Sequence, residues 1–255
     1  MNAPEMKEKR EAMAAAGAIV ALALDLVSRT AAPGVRTAEL DARVEELIRS
    51  RGAAPSFKGY NGYPASICTS LNEEIVHGIP GERRLAPGDI LSVDVGAELG
   101  GYHADAALTI PIGDIDDLSA RLIRVTRASL DAAVPVCRPG RHTGDIGALI
   151  QKMADDAGFH VVRDFTGHGI GKRLHEKPQI PNYGRPGTGY TIRLGDALAV
   201  EPMINAGTMA IKIQNDKWTA VTFDGSRSAH FEHTIFVGPD GPELLTPWEW
   251  RWDEL

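Results

Sequence analysis

Cysteine is scarce: Cys68 and Cys137 are the only two in 255 residues. A disulfide framework is therefore excluded, and the usage fits a reducing compartment. Positive charge is also in short supply, with 27 Lys and Arg against 34 Asp and Glu and a formal net charge of -7. The most basic cluster is Lys7-Glu8-Lys9-Arg10, so no nucleic-acid partner is expected. No apolar run reaches the roughly 20 residues of a membrane span. The charged start at Lys7 followed by the apolar Ala12 to Leu24 has the outline of a secretory signal. Glu5, Glu8 and Glu11 in its charged part speak against one, as do Asp25 and Arg29 where small residues would permit cleavage. A cytoplasmic monomer is expected, with this segment an amphipathic helix packed on the core.

An apolar share of 43% is present, enough to fill one large α/β domain or two small ones. The first helix is predicted from about Pro4 to Ser28, stopped by Pro33-Gly34. A second is capped by Thr37, with Leu40, Val44, Leu47 and Ile48 on one face. The arrangement recurs: a helix over Leu118 to Ala133, a stop at Pro139-Gly140 and a helix capped by Thr143 that ends at Gly158. Aligning P-G-V-R-T-A-E-L at Pro33 with P-G-R-H-T-G-D-I at Pro139 gives a constant offset of 106 residues, evidence of an internal duplication. Residues 1–255 are read as a single domain with halves at roughly 12–117 and 118–246 and a Trp-rich tail at 247–255. A site would form between the halves.

Ile90 to Ile110, I-L-S-V-D-V-G-A-E-L-G-G-Y-H-A-D-A-A-L-T-I, reads as a β-hairpin. A two-residue loop at Leu99-Gly100 would put Asp94 directly opposite Asp105 on one face, with Cβ atoms roughly 5 Å apart. Two buried carboxylates so placed need a shared proton or a cation. Acidic strand residues also commonly face solvent, and a shifted turn would separate this pair.

Other polar residues are set in unusual surroundings. His77 sits at the mouth of a turn before Gly78, after a short strand from Ser66 to Leu71, and a lone histidine there is more often a surface or satisfied residue than a catalytic one. A strand from Phe159 to Asp164 leads into F-T-G-H-G-I-G-K-R-L-H-E, whose glycines would hold His168 and His175 in a loop. Such histidines suit a transition metal or face solvent. Glu201 in L-A-V-E-P-M-I and Glu232 in S-A-H-F-E-H-T-I-F-V lie within apolar strands, where an unpartnered charge costs several kcal/mol. Trp218 follows the turn of a further hairpin. Tyr60, Tyr63 and Cys68 would ordinarily be core residues, and Trp248, Trp250 and Trp252 either pack on the domain or form a contact surface.

Asp94, Asp105, His168, Glu201 and Glu232 are thus left without an evident structural partner. Four carboxylates and one imidazole suit two divalent ions side by side. With H-G-I-P at His77 and G-H-G-I-G-K-R-L-H-E at Gly167, the set resembles methionine aminopeptidases of the type I, bacterial class. No long insertion separates His175, Glu201 and Glu232, unlike the type II class, and no added N-terminal zinc-binding segment is present. The resemblance implies an α/β (α+β) pita-bread fold, two related halves around a dinuclear metal site. Asp94 would bind one ion, Asp105 and Glu232 would bridge both, and His168 and Glu201 would complete the other. The ions, about 3.5–4 Å apart, would hold the attacking water and polarise the scissile carbonyl.

The family places His175 at the oxyanion and His77 at the scissile amide nitrogen, with Glu201 as proton shuttle. Tyr60, Tyr63, Cys68 and Trp218 match its pocket for the methionine side chain, an apolar setting that suits a thioether. The implied substrate is the initiator methionine of nascent chains, preferably before a small residue, and the ribosome is a further partner to consider. Cobalt, manganese, iron and zinc all suit such a donor set.

Four positions depart from the family pattern: Ala106 and Ala199 where threonine is usual, Leu174 where an aromatic is common, and His230 where glutamine is common. Missing hydroxyls beside metal ligands could reduce affinity or activity 10- to 100-fold. His230 and His103 share strand faces with Glu232 and Asp105 and read as donors to those ligands, or as extra ligands. A proline-directed relative of the same fold, a weakly active paralogue and a non-catalytic binding protein are the competing readings.

Overall fold

The structure, a computed structural model, describes residues 2–252. The first half contains α1 (Ala3–Thr30), α2 (Thr37–Ser50), β1 (Ala54–Pro55), β2 (Ile67–Leu71), β3 (Glu74–Val76), β4 (Ile90–Leu99) and β5 (Tyr102–Pro111). It is followed by α3 (Asp117–Ala133), α4 (Thr143–Asp156), β6 (His160–Val161), β7 (Thr166–Gly169), β8 (Glu176–Pro181) and β9 (Ala197–Val200). The chain continues with β10 (Met203–Asn205), β11 (Ile211–Ile213), β12 (Ala220–Thr222), β13 (Ser228–His230), β14 (His233–Gly238) and β15 (Gly241–Leu244).

The β4–β5 hairpin is the centre of the first half. β5 takes one edge of β4, while β2 and the short β1 share the other. Its turn is Gly100-Gly101, with φ of 60° and 82°, because a two-residue hairpin loop of this hand needs positive φ at both positions. Leu99 therefore pairs with Tyr102, and Asp94 faces Ala107 while Asp105 faces Gly96. The direct Asp94–Asp105 pairing expected from sequence is wrong by two residues. The side-chain period is also two, so both aspartates stay on one face as diagonal neighbours. The other face, with Val93, Val95, Ala104, Ala106 and Leu108, packs on α1 through Ala16, Val20, Ala23 and Val27 at helical spacing. By length and apolar content α1 would suffice to cross a membrane, contrary to the sequence expectation, and 50% of its most apolar window is buried in the fold.

The 106-residue offset recurs in the geometry. α2 and α4 are both 14 residues long. Gly34 N–H donates to Leu85 O and Gly140 N–H to Ile192 O, while isolated bridges join Arg36 to Arg84 and His142 to Thr191. Thr37 and Thr143 are the first helical residues rather than caps; Arg36 and His142 occupy the cap positions. Both threonine hydroxyls reach sideways instead, Thr37 Oγ1 accepting from Gly81 N–H at 2.8 Å and Thr143 Oγ1 from Tyr190 N–H at 3.1 Å.

In the second half five antiparallel strands run in the order β15-β14-β9-β7-β8, and three in the order β13-β10-β6. The strand expected over Phe159 to Asp164 is only His160–Val161. The β11–β12 hairpin pairs with β3 and so ties the second half to the first.

Candidate metal centre and cleft

Glu201 and Glu232 are not inside strands. Each stands in a two-residue break: Glu201-Pro202 between β9 and β10, Phe231-Glu232 between β13 and β14. Both breaks carry the chain from the three-stranded sheet to the five-stranded one or back, and there a side chain escapes strand alternation and enters the space between sheets. His168 is in β7, not in a loop, paired with Gln179 on β8 and Ala199 on β9. Its flanking glycines make that possible: a Cβ on Gly167 would lie 2.4 Å from Ala199 O, and one on Gly169 2.2 Å from Lys177 O.

All eleven site residues expected from sequence line one cleft of about 1180 Å³. Ligand atoms of Asp105, His168 and Glu232 lie within 4.8 Å of one another. His168 Nε2 is 3.5 Å from Asp105 Oδ2 and 3.7 Å from Glu201 Oε1. Its Nδ1 is 2.9 Å from Gly169 O, so Nδ1 carries the proton and Nε2 presents its lone pair to the carboxylates. Asp94 Oδ1 is buried without a hydrogen-bond partner among the described residues. Thr234 Oγ1 accepts from Asp105 N–H at 3.0 Å and lies 3.1 Å from Asp105 Oδ1.

The electrostatics ask for a cation. Burial first, and then the neighbouring carboxylates, pushes Asp94, Glu201 and Glu232 well above the usual carboxylate range. Asp105 is raised to about 6, mainly by burial. Burial lowers His168 to about 4, leaving it neutral and able to ligate. Four carboxyls around one neutral imidazole, Asp105 and Glu232 buried and Asp94 and Glu201 half-buried, with one oxygen orphaned, fit divalent metal, with oxygen donors predominating.

Above the carboxylates the cleft is aromatic. His175, in the loop before β8, stands 4.2 Å from the His168 ring, nearly perpendicular, and its Nδ1 is 2.8 Å from Tyr60 Oη. A tyrosine donating to Nδ1 leaves the proton on Nε2. His77 has a left-handed backbone, φ 61°, sparsely populated for a residue with a side chain. Its ring meets Phe165 edge-on at 5.3 Å and Trp218 at 6.5 Å. Burial holds both His77 and His175 neutral, at about 4. Tyr63 donates to Gly78 O at 2.9 Å and packs edge-on against Trp218 at 5.1 Å, and the buried Cys68 closes the same wall.

The departures from the family pattern fall in different places. His230 is buried, its Nε2 3.6 Å from Glu201 Oε2 and without a hydrogen bond among the described residues. His103 binds elsewhere, with Nδ1 2.9 Å from Ser56 Oγ, and contributes no atom to the cleft wall. Leu174 packs in the cluster of Tyr63 and Cys68. Two contributors were not evident from sequence. Phe165, at the head of the glycine-rich stretch, lines the cleft beside His77, and Thr234, two residues after Glu232, holds Asp105. The signal for Thr234 would have been a hydroxyl two residues after Glu232 within an otherwise apolar run.

Residues 11–239 match metallopeptidase family M24. A methionine aminopeptidase of Clostridium acetobutylicum is 50% identical over 237 residues, 92% of this chain and 95% of that protein. The crystal structure of methionine aminopeptidase from Thermotoga maritima superposes with a TM-score of 0.93 at 46% identity, covering 95% of this chain and 97% of that one. The prolidase of Pyrococcus furiosus shares the fold alone, at 22% identity, a TM-score of 0.77 and 65% of its own length. The pita-bread fold expected from sequence is thereby borne out. A chain matched along nine-tenths of its length, with buried carboxylates gathered where a metallopeptidase needs them, belongs to metallopeptidase family M24.

Proposed function

We propose that the chain is a metal-dependent methionine aminopeptidase that removes the initiator methionine from nascent chains, preferring a small second residue. The observation that carries this reading is one cleft with two zones, a floor of Asp94, Asp105, His168, Glu201 and Glu232 and a wall of Tyr60, Tyr63, Cys68 and Trp218. The floor would hold divalent metal, with Asp94, Asp105, His168, Glu201 and Glu232 as the donors and two ions as the expected number. Metal bound there polarises a carbonyl and makes water nucleophilic at neutral pH.

The chain's own groups supply the rest. Glu201, its carboxyl raised above the usual range by burial and by Asp94, is suited to take a proton and return it to the leaving amine. His175, neutral and protonated on Nε2 while Tyr60 occupies Nδ1, donates to the carbonyl oxygen as charge develops. His77, neutral between Phe165 and Trp218, contacts the scissile amide nitrogen. The aromatic and thiol wall receives an unbranched thioether, which adapts to irregular apolar surfaces.

The test is release of methionine from Met-Ala-Ser by protein stripped of metal, with cobalt, manganese, iron and zinc returned singly. Activity that requires an ion and falls at least ~100-fold in Glu201→Gln is the expected result. Ion uptake without peptide cleavage would reject it.

A further inference from the structure

The mechanism above makes no use of the C-terminal segment from Leu245 to Trp252, the Trp-rich tail with the two residues before it, yet Thr246 and Trp248 of this tail segment reach the backbone and neighbours of Glu232 and Asp105. The Trp248 indole N–H donates to the Glu232 carbonyl at 3.2 Å, while its ring stacks on His233 at 4.5 Å with an interplanar angle of 17°. The Glu232 N–H donates to Ala107 O at 2.8 Å, so this residue is clasped between the tail and the strand that carries Asp105. Thr246 acts one strand position further on. Its hydroxyl accepts from Thr234 N–H at 3.1 Å and lies 3.2 Å from His233 Nδ1, and Thr234 is the residue whose hydroxyl holds Asp105. The tail is itself anchored. Leu245 O lies so close to Gly17 of α1 that a Cβ there would come within 1.9 Å, and Trp250 packs beneath the Arg127 guanidinium at 4.8 Å.

We propose that the tail is a positioning device for the metal centre: Trp248 and Thr246 hold Glu232 and Asp105 in ligating geometry and thereby set metal affinity. The physical need follows from the topology. The ligands come from separate strands and breaks between strands, and groups that hold a ligand's backbone or side chain from outside the cleft fix its aim toward the ions. Trp248 fixes the peptide unit of one carboxylate and Thr246, through Thr234, fixes the side chain of the other. Both are positioning residues, since neither reaches the cleft.

The inference rests on the metal reading above, and its test separates the two. Full-length protein is stripped with chelator and titrated calorimetrically with manganese, and the visible spectrum of the cobalt form is recorded. Trp248→Phe keeps a ring over His233 and removes the N–H; Thr246→Val keeps the shape and removes the hydroxyl; Thr246→Ser restores it. The expected result is manganese affinity weaker by roughly 10-fold or more in Trp248→Phe and Thr246→Val, with shifted cobalt bands, and near wild-type affinity in Thr246→Ser. Unchanged affinity and spectrum in Trp248→Phe would overturn the proposal even if the valine variant did not fold. A lowered thermal midpoint of the stripped protein with unaltered affinity would also overturn it, by reducing the tail to packing. Wild-type protein that takes up no ion would remove the metal reading and this proposal together.

Discussion

Ala106 and Ala199 both lack a hydroxyl next to a metal-ligating segment, but the fold gives them opposite surroundings. Ala106 pairs with Val95 on the hairpin face that packs on α1, so its methyl points away from Asp105 into apolar core. Ala199 pairs with His168 on one side and Thr234 on the other, and it is buried in the cluster of Tyr63, Cys68 and Leu174 behind the cleft wall. Restoring threonine should therefore have different consequences. Ala199→Thr is expected to tighten metal binding by up to ~10-fold, read by calorimetry. Ala106→Thr should leave affinity unchanged and destabilise the protein by about 1–3 kcal/mol in urea unfolding, since it adds volume and an unpaired hydroxyl to a filled core. His230 yields a second contrast. Burial holds its ring neutral, at about 3, beside Glu201. His230→Gln keeps a polar group facing Glu201 and should keep kcat/KM within a few-fold, whereas His230→Leu, which removes the polar group 3.6 Å from Glu201 Oε2, should lose ~10-fold or more.

At the scale of elements, the helices were the most legible part of the chain because 3.6-residue periodicity and Pro-Gly stops act locally. The hairpin was legible in kind and not in register. Leu99-Gly100 and Gly100-Gly101 are both plausible turns in sequence, and only the demand for positive φ at two positions selects the second. Glu201 and Glu232 were found by their incongruity in apolar runs, but the breaks that hold them depend on a change of sheet, a tertiary event. Close packing of α1 on the tail leads to a prediction contrary to helix propensity. Gly17→Ala would ordinarily favour the helix by about 1 kcal/mol, yet the Leu245 carbonyl occupies the space of the new methyl. Net destabilisation is expected, measured as a lowered unfolding midpoint. α2 offers a pH test. Glu45, bonded to Lys58 and Arg49, is held down at about 2 against 4.5. A lowered folded value means stability that is present above pH 4.5 and lost as pH falls toward 2, about 1 kcal/mol after solvent screening. Glu45→Gln should remove that component, so wild type and variant should converge in stability by pH 2.

At the scale of the whole molecule, the site draws ligands from Asp94 to Glu232, and no local pattern in the chain brings them together; residue chemistry suggested the set and the fold assembled it. That assembly makes the metal-free protein sensitive to pH on both sides of neutrality. His77, His168, His175 and His233 are lowered to about 4 by burial, so the stability they contribute is present above pH 6.5 and lost as pH falls through 4. Asp94, Glu201 and Glu232 are raised well above their ordinary values and act with the opposite sign. In the unfolded chain they ionise near pH 4, whereas in the metal-free fold they keep their protons, so stability falls as pH rises through the folded values. Below pH 6.5 the two sets oppose one another; above pH 7 only the carboxyls remain. The thermal midpoint of stripped protein should therefore fall as pH rises above neutrality, and that of metal-loaded protein should stay nearly level, because the ions keep the carboxylates ionised in the fold. Metal uptake at pH 7 should release protons, seen as a binding enthalpy that varies with the ionisation enthalpy of the buffer. A stripped protein as stable at pH 9 as at pH 7 would mean that the carboxyls are already solvated in the absence of metal, and that the ions do not hold the two halves of the cleft together.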